Sequence, residues 1–195
     1  MFKQLLVLLF KLIVKPAPAW KFLSEQKETD NENFYKSYLF PVVGIIALLS
    51  FLGLLISHSF DVHVLQTGMK TVVKQVVVYG GSFYILSYAL SNFVFPRFNL
   101  PKDKIQAEQF TAYASAPVYL VAMIKALFPG LFLLEILGLY SFYILWAGTV
   151  HFLKINGNLI IKFTIFAGIF IVLTPFLLNM LMGLLMGVVP GMKIE

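Results

Sequence analysis

The sequence predicts an all-α integral membrane protein, with five transmembrane helices preceded by a short interfacial amphipathic helix. Composition is the first reason: 59% of the 195 residues are hydrophobic and 12% are charged, whereas about 25% are charged in ordinary soluble domains. A soluble chain of this length could not bury so much apolar surface, and intrinsic disorder requires low hydrophobicity. Because the chain has no cysteine, disulfides and thiolate metal sites are excluded.

Charge-free stretches are the second reason for this fold class. A helix that crosses a bilayer needs about 20 mostly apolar residues. We predict a transmembrane domain over residues 37–195, with spans at about 38–57, 74–95, 109–128, 131–153 and 160–188. Only Pro129-Gly130 separates the third span from the fourth, which favours a tight helical hairpin. The fifth stretch is longer than one bilayer thickness, so it must tilt, kink at Pro175 or leave the membrane near Pro190.

The N-terminal segment, residues 1–36, has a different pattern. At about 2–15 a helix would place Gln4, Lys11 and Lys15 close to one face and apolar residues around the rest. That pattern is typical of a helix lying in the membrane interface, with its lysines among anionic headgroups. A signal peptide cleaved near Ala17-Pro18-Ala19 is the alternative, although Lys11 interrupts its apolar region. Residues 21–36 are predicted to be a solvated polar connection.

The distribution of lysine and arginine is the third reason for this fold class, and it also predicts the orientation of the protein in the membrane. Most of these residues outside the spans lie in the N-terminal segment and in the second-to-third and fourth-to-fifth loops. The side that carries more lysine and arginine is cytoplasmic. We therefore expect a cytoplasmic N-terminus, and a location in the bacterial inner (cytoplasmic) membrane. Nucleic-acid binding is not expected, because it requires a basic, aromatic soluble surface.

Four local patterns together carry a family resemblance. They are Pro16, Pro18 and Trp20; Tyr38-Leu39-Phe40-Pro41; the run Thr111 to Pro117; and the run Leu139 to Leu145 followed by Gly148. In this order the chain resembles the Yip family of membrane proteins, as a short prokaryotic member, over roughly residues 16–190. The resemblance implies an all-helical, five-span protein. In eukaryotic relatives it implies a scaffold in vesicle traffic that binds a Rab GTPase on the cytoplasmic side.

Polar residues inside predicted spans are candidate functional positions. The second span has a stripe predicted to fall on one helical face, made of Tyr84, Ser87, Tyr88, Ser91 and Asn92. The third span offers a small-residue surface that includes Thr111 and Ser115. These residues either pack helices together, with hydroxyls bonding across helices, or form the wall of a polar cavity or substrate path.

Two further patterns leave alternatives open. Gly183 and Gly187 form a GxxxG motif, which fits close packing within the bundle, a dimer face or no special role. Lys125 and Glu135 interrupt the third and fourth spans on either side of the predicted hairpin turn. An antiparallel hairpin would bring them to similar depths, where they either form an ion pair or both reach water.

No catalytic, metal or cofactor site is expected. The segment from His58 to His63 offers at most three ligands in a predicted exposed loop, and zinc sites usually need three or four supported ligands. His151 is predicted to lie at the membrane interface. All acidic residues except Glu135 are predicted to lie in loops or tails, which leaves no acid/base pair. No nucleophile, phosphate-loop or dinucleotide motif is present.

The sequence therefore predicts a non-enzymatic membrane scaffold or adaptor. Its expected partners are the lipid bilayer, and either another membrane protein or a second copy of the chain. The alternative is a channel or transporter for small molecules or lipids, with a polar path along the second span.

Overall fold

The structure is a computed structural model, and it describes residues 2–25, 34–57, 62–128 and 130–186. Over these ranges the chain is helical without strands, so the predicted all-helical class is confirmed. Its α-helices are α1 (Phe2–Val14), α2 (Pro16–Glu25), α3 (Phe40–Ser57), α4 (Val62–Gln75), α5 (Gly81–Ala89), α6 (Phe95–Arg97), α7 (Lys104–Ala114), α8 (Ala116–Leu127), α9 (Ser141–His151) and α10 (Leu159–Met186). The π-helical segments are Tyr35–Leu39, Val76–Gly80 and Leu90–Val94, and one 3₁₀ segment spans Phe132–Tyr140.

Two short helices form the N-terminal segment. α1 buries Leu5, Leu9 and Leu12, which repeat at helical spacing, and it packs against α8. The side chain of Gln4 lies outside the described part of the chain. α2 extends to Glu25, so the beginning of the predicted polar connection is helical; residues 26–33 lie outside the described ranges.

The first apolar helix runs from Tyr35 to Ser57, 23 residues, and opens with the π-helical turn Tyr35–Leu39. It packs against α4 and α8. Gly53 lies where α3 meets α8, and a Cβ added there would collide with the Ala126 carbonyl group. The missing side chain at Gly53 therefore sets how closely these two helices approach.

The second helical region is continuous from Val62 to Arg97, and it includes the predicted span 74–95. At 1.5 Å per residue it is about 54 Å long. Its two π-helical segments, Val76–Gly80 and Leu90–Val94, lie in line with α4, α5 and α6 because the residues that flank them have helical dihedral angles. A π turn changes which face of a helix continues into the core.

The predicted third span, 109–128, differs from the structure in two ways. It is divided at Ser115 into α7 and α8, which are bent by 46°. Pro117 causes the break, because proline has no N–H and its ring collides with the carbonyl four residues earlier. The helix also begins at Lys104, where the Asp103 side chain accepts a hydrogen bond of 3.0 Å from the Gln106 N–H and caps the N-terminus.

The predicted fourth span, 131–153, is not a single α-helix. Its first half is the 3₁₀ segment Phe132–Tyr140, and its second half is α9. Gly138 lies within the 3₁₀ half and weakens α-helix formation. The hairpin residue Pro129 lies outside the described ranges. α10 follows as a 28-residue helix with Pro175 inside it; Pro190 is also outside the described chain.

Three helices are long and apolar enough to cross a membrane: Tyr35–Ser57, Leu133–His151 and Leu159–Met186. The bent pair α7 and α8 makes a fourth if the pair forms one span. The predicted second span is helical but is not among them, because its Tyr, Ser and Asn residues lower its hydrophobicity. The structure thus supports three to four of the predicted spans.

The close approach at Gly53 generates a test with a matched control in the same helix. Gly53→Ala should destabilise the protein by about 1–3 kcal/mol, because the new methyl group collides with backbone that cannot easily move. Gly44→Ala should be neutral or slightly stabilising, since Gly44 faces open space and alanine favours helix by up to about 1 kcal/mol. Unfolding in detergent measures both variants. Equal stability of the two would contradict this packing.

Candidate functional site

Trp20 is the central buried aromatic residue of α2. Its side chain is fully buried, and its indole N–H donates a 2.9 Å hydrogen bond to the Ile144 carbonyl of α9. Its ring lies 5.4 Å from the ring of Phe110 and 5.2 Å from that of Phe152, between centroids. A buried indole requires a partner for its N–H, so this bond fixes where α2 meets the bundle.

The Trp20 ring packs directly against Gly148. A Cβ added at Gly148 would be 2.7 and 2.8 Å from two atoms of that ring and 2.9 Å from the Phe110 ring. Real side chains do not tolerate such contacts, so only glycine admits the indole here. The pattern of Pro16, Pro18 and Trp20 therefore belongs to the same site as Gly148, although they are distant in sequence.

The other two sequence patterns meet beside it. The Tyr38 hydroxyl donates a 3.3 Å hydrogen bond to the Ala112 carbonyl, and its ring meets that of Tyr113 edge-on at 4.8 Å. Phe34 stacks on Tyr38, and Tyr113 also contacts Trp20 at 6.0 Å. All four patterns thus converge on one continuous aromatic core.

This core holds the N-terminal segment so that a defined surface faces outward. We call it the N-terminal surface, and it consists of Phe10, Lys11, Val14, Lys15, Lys21 and Phe22, all of which are exposed. Phe10 is 67% exposed, and the Lys11 ammonium lies 5.8 Å from the centre of the Phe22 ring. The surface therefore combines apolar area with positive charge.

In the structure the predicted polar stripe of the second span is divided between the interior of the bundle and its outer surface. Ser87 and Ser91 are buried, whereas Tyr84 and Tyr88 are 51% and 65% exposed. Asn92 is half-buried and donates to the Tyr88 carbonyl at 3.1 Å. The boundary between the interior and the outer surface therefore runs through the stripe.

The small-residue surface of the third span is buried, and its hydroxyl groups bond within their own helix. Thr111 donates to the Ala107 carbonyl at 2.7 Å, and Ser115 donates to the Thr111 carbonyl at 2.8 Å. Their hydrogen-bonding needs are met without a neighbouring helix. Of the predicted GxxxG motif, Gly183 is buried, while Gly187 lies outside the described residues.

Lys125 and Glu135 are brought together across the turn that joins α8 to the 3₁₀ segment. The Lys125 ammonium contacts a carboxylate oxygen of Glu135 in an ion pair. Both side chains remain accessible, at 29% for Lys125 and 59% for Glu135. Both also line a cavity of about 610 Å³, which has none of the second-span stripe residues in its wall.

Glu108 is a buried acid in a helix, so the prediction that it lies in a loop is wrong. It lies in α7, its side chain is 1% exposed, and one of its oxygens lies 3.7 Å from the Lys104 ammonium. The signal that could have located it is Asp103, a preferred helix cap that places the helix start before Glu108. A search for stretches without charged residues cannot place a residue such as Glu108 inside a span.

Histidine residues form no metal site in the part of the chain that the structure describes. No group of three or more His, Asp or Glu residues lies close enough there to hold a metal ion. Residues 58–61 of the predicted histidine loop lie outside those ranges, and His63 is exposed at the start of α4. His151 is partly exposed at the end of α9.

Comparison with protein families gives one match. A family model described as the Yip1 domain matches residues 10–179, from the middle of α1 to the last third of α10. The match contains all four patterns that converge around Trp20. Neither the curated proteins nor the solved structures contain a match to this chain.

The Trp20 anchor generates a test in which the other tryptophan is the control. Trp20→Phe should lower the free energy of unfolding by about 1–3 kcal/mol, because it removes a buried hydrogen bond and leaves a gap against Gly148. Trp146→Phe should change it by less than about 0.5 kcal/mol, since Trp146 is 45% exposed. Chemical unfolding in detergent gives both values. A larger loss for Trp146→Phe would contradict the anchor.

Proposed function

Because the chain belongs to the Yip family, we propose that it is a non-enzymatic membrane scaffold or adaptor. Its N-terminal surface would bind another membrane-associated protein at the cytoplasmic face. The observation that carries this proposal is the Trp20 anchor. It holds a short segment against the bundle, and that segment exposes Phe10, Val14 and Phe22 on its outer side.

The charge and apolar area of the N-terminal surface support the proposed cytoplasmic, interfacial placement. Lys11, Lys15 and Lys21 are exposed beside the apolar side chains. Lysines near an anionic leaflet contribute roughly 1 kcal/mol each. In this placement α1 turns Leu5, Leu9 and Leu12 toward protein and turns Phe10 toward the headgroup boundary. The proposed location is the bacterial inner membrane.

The proposed topology has five spans, with the second at 74–95. Its support is the continuous helix from Val62 to Arg97, which contains no charged residue from Gln75 to Pro96. Those 22 positions extend about 33 Å at 1.5 Å per residue, close to the roughly 30 Å of the hydrocarbon region. With five spans and a cytoplasmic N-terminus, α1, α2 and the loop 98–103 would all lie on the cytoplasmic side.

The ion pairs support a structural role for the two acids within the helical bundle. Glu108 lies beside Lys104, and Glu135 contacts Lys125. Each of the two acids therefore has a lysine neighbour within the bundle, which fits a structural role.

The transporter alternative has less support. A substrate path along the second span would need its polar residues on one continuous face. Ser87 and Ser91 point inward, however, whereas Tyr84 and Tyr88 lie on the outer surface. The stripe therefore fits helix packing on one edge and contact with surrounding lipid on the other.

Topology can be tested cleanly because the chain has no cysteine. Thr67 lies near the beginning of the continuous second helix, and Asn99 lies in the turn just after its end at Arg97. A membrane-impermeant thiol reagent should label Thr67→Cys from outside the cell, and Asn99→Cys and Asn158→Cys only after the cytoplasm is opened. Labelling of Thr67→Cys and Asn99→Cys from the same side would exclude five spans.

The scaffold role can be tested with photoreactive amino acids in the native membrane. We expect probes at Phe10 and at Phe22 to crosslink the same protein, because both lie on the N-terminal surface. A probe at Ile165, which is 52% exposed on α10, is the control for nonspecific capture and should not yield that adduct. Adducts with lipid alone at Phe10 and Phe22 would contradict the scaffold role.

A further inference from the structure

A cavity of about 610 Å³ lies between α10 and the hairpin formed by α8 and the 3₁₀ segment. The second helical region closes a further side of it with Lys74, Gln75 and Tyr79. The volume of the cavity is within the 300–1,000 Å³ of ordinary ligand pockets. The cavity is separate from the N-terminal surface, and no ring of the aromatic core around Trp20 lines it.

The charged and amide residues of the cavity collect at one end, which we call its polar end. They are Lys74, Gln75, Lys125, Glu135 and Asn179. Phe163 of α10 lies beside Phe95. Leu178 lies beside Gly81, so α10 runs antiparallel to the second helical region, and the start of that region meets the last third of α10. The chain reverses direction twice between α8 and α10, which brings the end of α8 to the same place.

The rest of the cavity wall is apolar, and one side of it is open. Its deeper part is formed by Val118, Val121, Phe142 and Val172. Its outer part is formed by Leu139, Ile169, Leu173 and Phe176, each of which is still between 46% and 59% exposed. A side chain that lines the cavity and also reaches the outer surface marks an open wall. In a membrane that wall faces acyl chains, so a lipid can enter from the bilayer without crossing water.

The charges that the polar end offers to an occupant sum to zero. Lys74 is only 5% exposed and already has an interaction of its own, so its charge is not offered to a ligand. The accessible charges are those of Lys125 and Glu135, whose side chains are 29% and 59% exposed. An occupant with a net charge would meet one attractive and one repulsive group there, whereas a zwitterion meets two attractive ones.

The ion pair leaves hydrogen-bonding capacity on both of its partners. An ammonium has three N–H donors, and a carboxylate accepts through two oxygens. The Lys125 ammonium donates to one oxygen of Glu135, so their contact uses one of those donors and one of those oxygens. A ligand that binds both without breaking the pair needs an anionic acceptor and a cationic donor close together. Gln75 and Asn179 add amide donors at the same end.

We propose that this cavity binds one molecule of phosphatidylethanolamine. Its phosphate accepts from Lys125, its primary ammonium donates to Glu135, and one acyl chain lies along Val118 and Phe142 toward the middle of the bundle. Phosphatidylcholine has the same net charge but no N–H to donate, and a hydrogen bond between charged groups is about twice as strong as a neutral one. The site does not depend on the scaffold role.

The first test varies the lipid and leaves the protein unchanged. The full chain is placed in nanodiscs with equal amounts of phosphatidylethanolamine, phosphatidylcholine and phosphatidylglycerol, and native mass spectrometry counts the lipid that each chain retains. We expect one retained phosphatidylethanolamine per chain, favoured about tenfold over phosphatidylcholine, which corresponds to roughly 1.4 kcal/mol. Equal retention of these two lipids, or a preference for phosphatidylglycerol, would overturn the proposed headgroup.

The second test removes the proposed acceptor of the ammonium. Glu135→Gln should abolish the preference for phosphatidylethanolamine over phosphatidylcholine, because an amide carries no negative charge. Glu25→Gln is the matched control, since Glu25 is exposed on α2 and does not line the cavity. The readout is the ratio of the two lipids, which a general loss of stability from breaking the ion pair would not shift. An unchanged ratio in Glu135→Gln, or the same change in both variants, would contradict the proposal.

The third test fills the cavity without altering charge. Gly138 is buried and lines the cavity, yet a Cβ added there meets nothing within 4 Å, so a larger side chain would enter the open space. Gly138→Leu should abolish retention of every lipid. Gly44→Leu should leave retention unchanged, since Gly44 also faces open space but lies outside the cavity. Full retention in Gly138→Leu would overturn the site, and displacement of the lipid by millimolar phosphoethanolamine would assign it to a soluble zwitterion instead.

Discussion

The hydrogen bond from the Trp20 indole to the Ile144 carbonyl joins the N-terminal segment to the helical bundle. The residues are 124 positions apart, and the ring between them fills the space that Gly148 leaves open. Breaking the bond would strand a buried donor at a cost of about 1–3 kcal/mol. The direction of α2 and the outward face of α1 follow from this contact, and so does the arrangement of the N-terminal surface.

Within the bundle, several hydroxyl groups are satisfied inside their own helix, which leaves helix faces free to pack. Ser50, Thr111 and Thr149 each donate to the carbonyl four residues earlier in the same helix, at 2.7–2.8 Å. Of these three residues only Thr111 belongs to the small-residue surface predicted from the sequence, and its bond lies beside the break at Ser115. Such local bonds bend a helix slightly. Irregular backbone in a membrane protein must have its polar groups satisfied in this way.

Composition and charge-free stretches predict the helical class and the position of most helices, because those features follow from the solvent, whereas the family resemblance rests on four local residue patterns. They failed where one residue or one contact decides the outcome. Glu108 was missed because the window began after the last charge, although Asp103 marks an earlier helix start. The stripe from Tyr84 to Asn92 was assigned one face because spacing gives the arc but not where the core begins. No local pattern encodes the contact between Trp20 and Ile144.

The polar ends of separate helices give a common membrane boundary. On α10, Lys162 and Asn179 are 17 residues apart, about 26 Å, and Lys74 and Arg97 of the second helical region are 23 residues apart, about 35 Å. Both lengths are close to the roughly 30 Å hydrocarbon thickness, although the two helices have unrelated sequences. Gly148, which contacts Trp20, lies in the second half of α9. That half is at the end of the bundle opposite to the end that contains Lys125. This arrangement supports placing the N-terminal surface at one leaflet and the polar end of the cavity at the other.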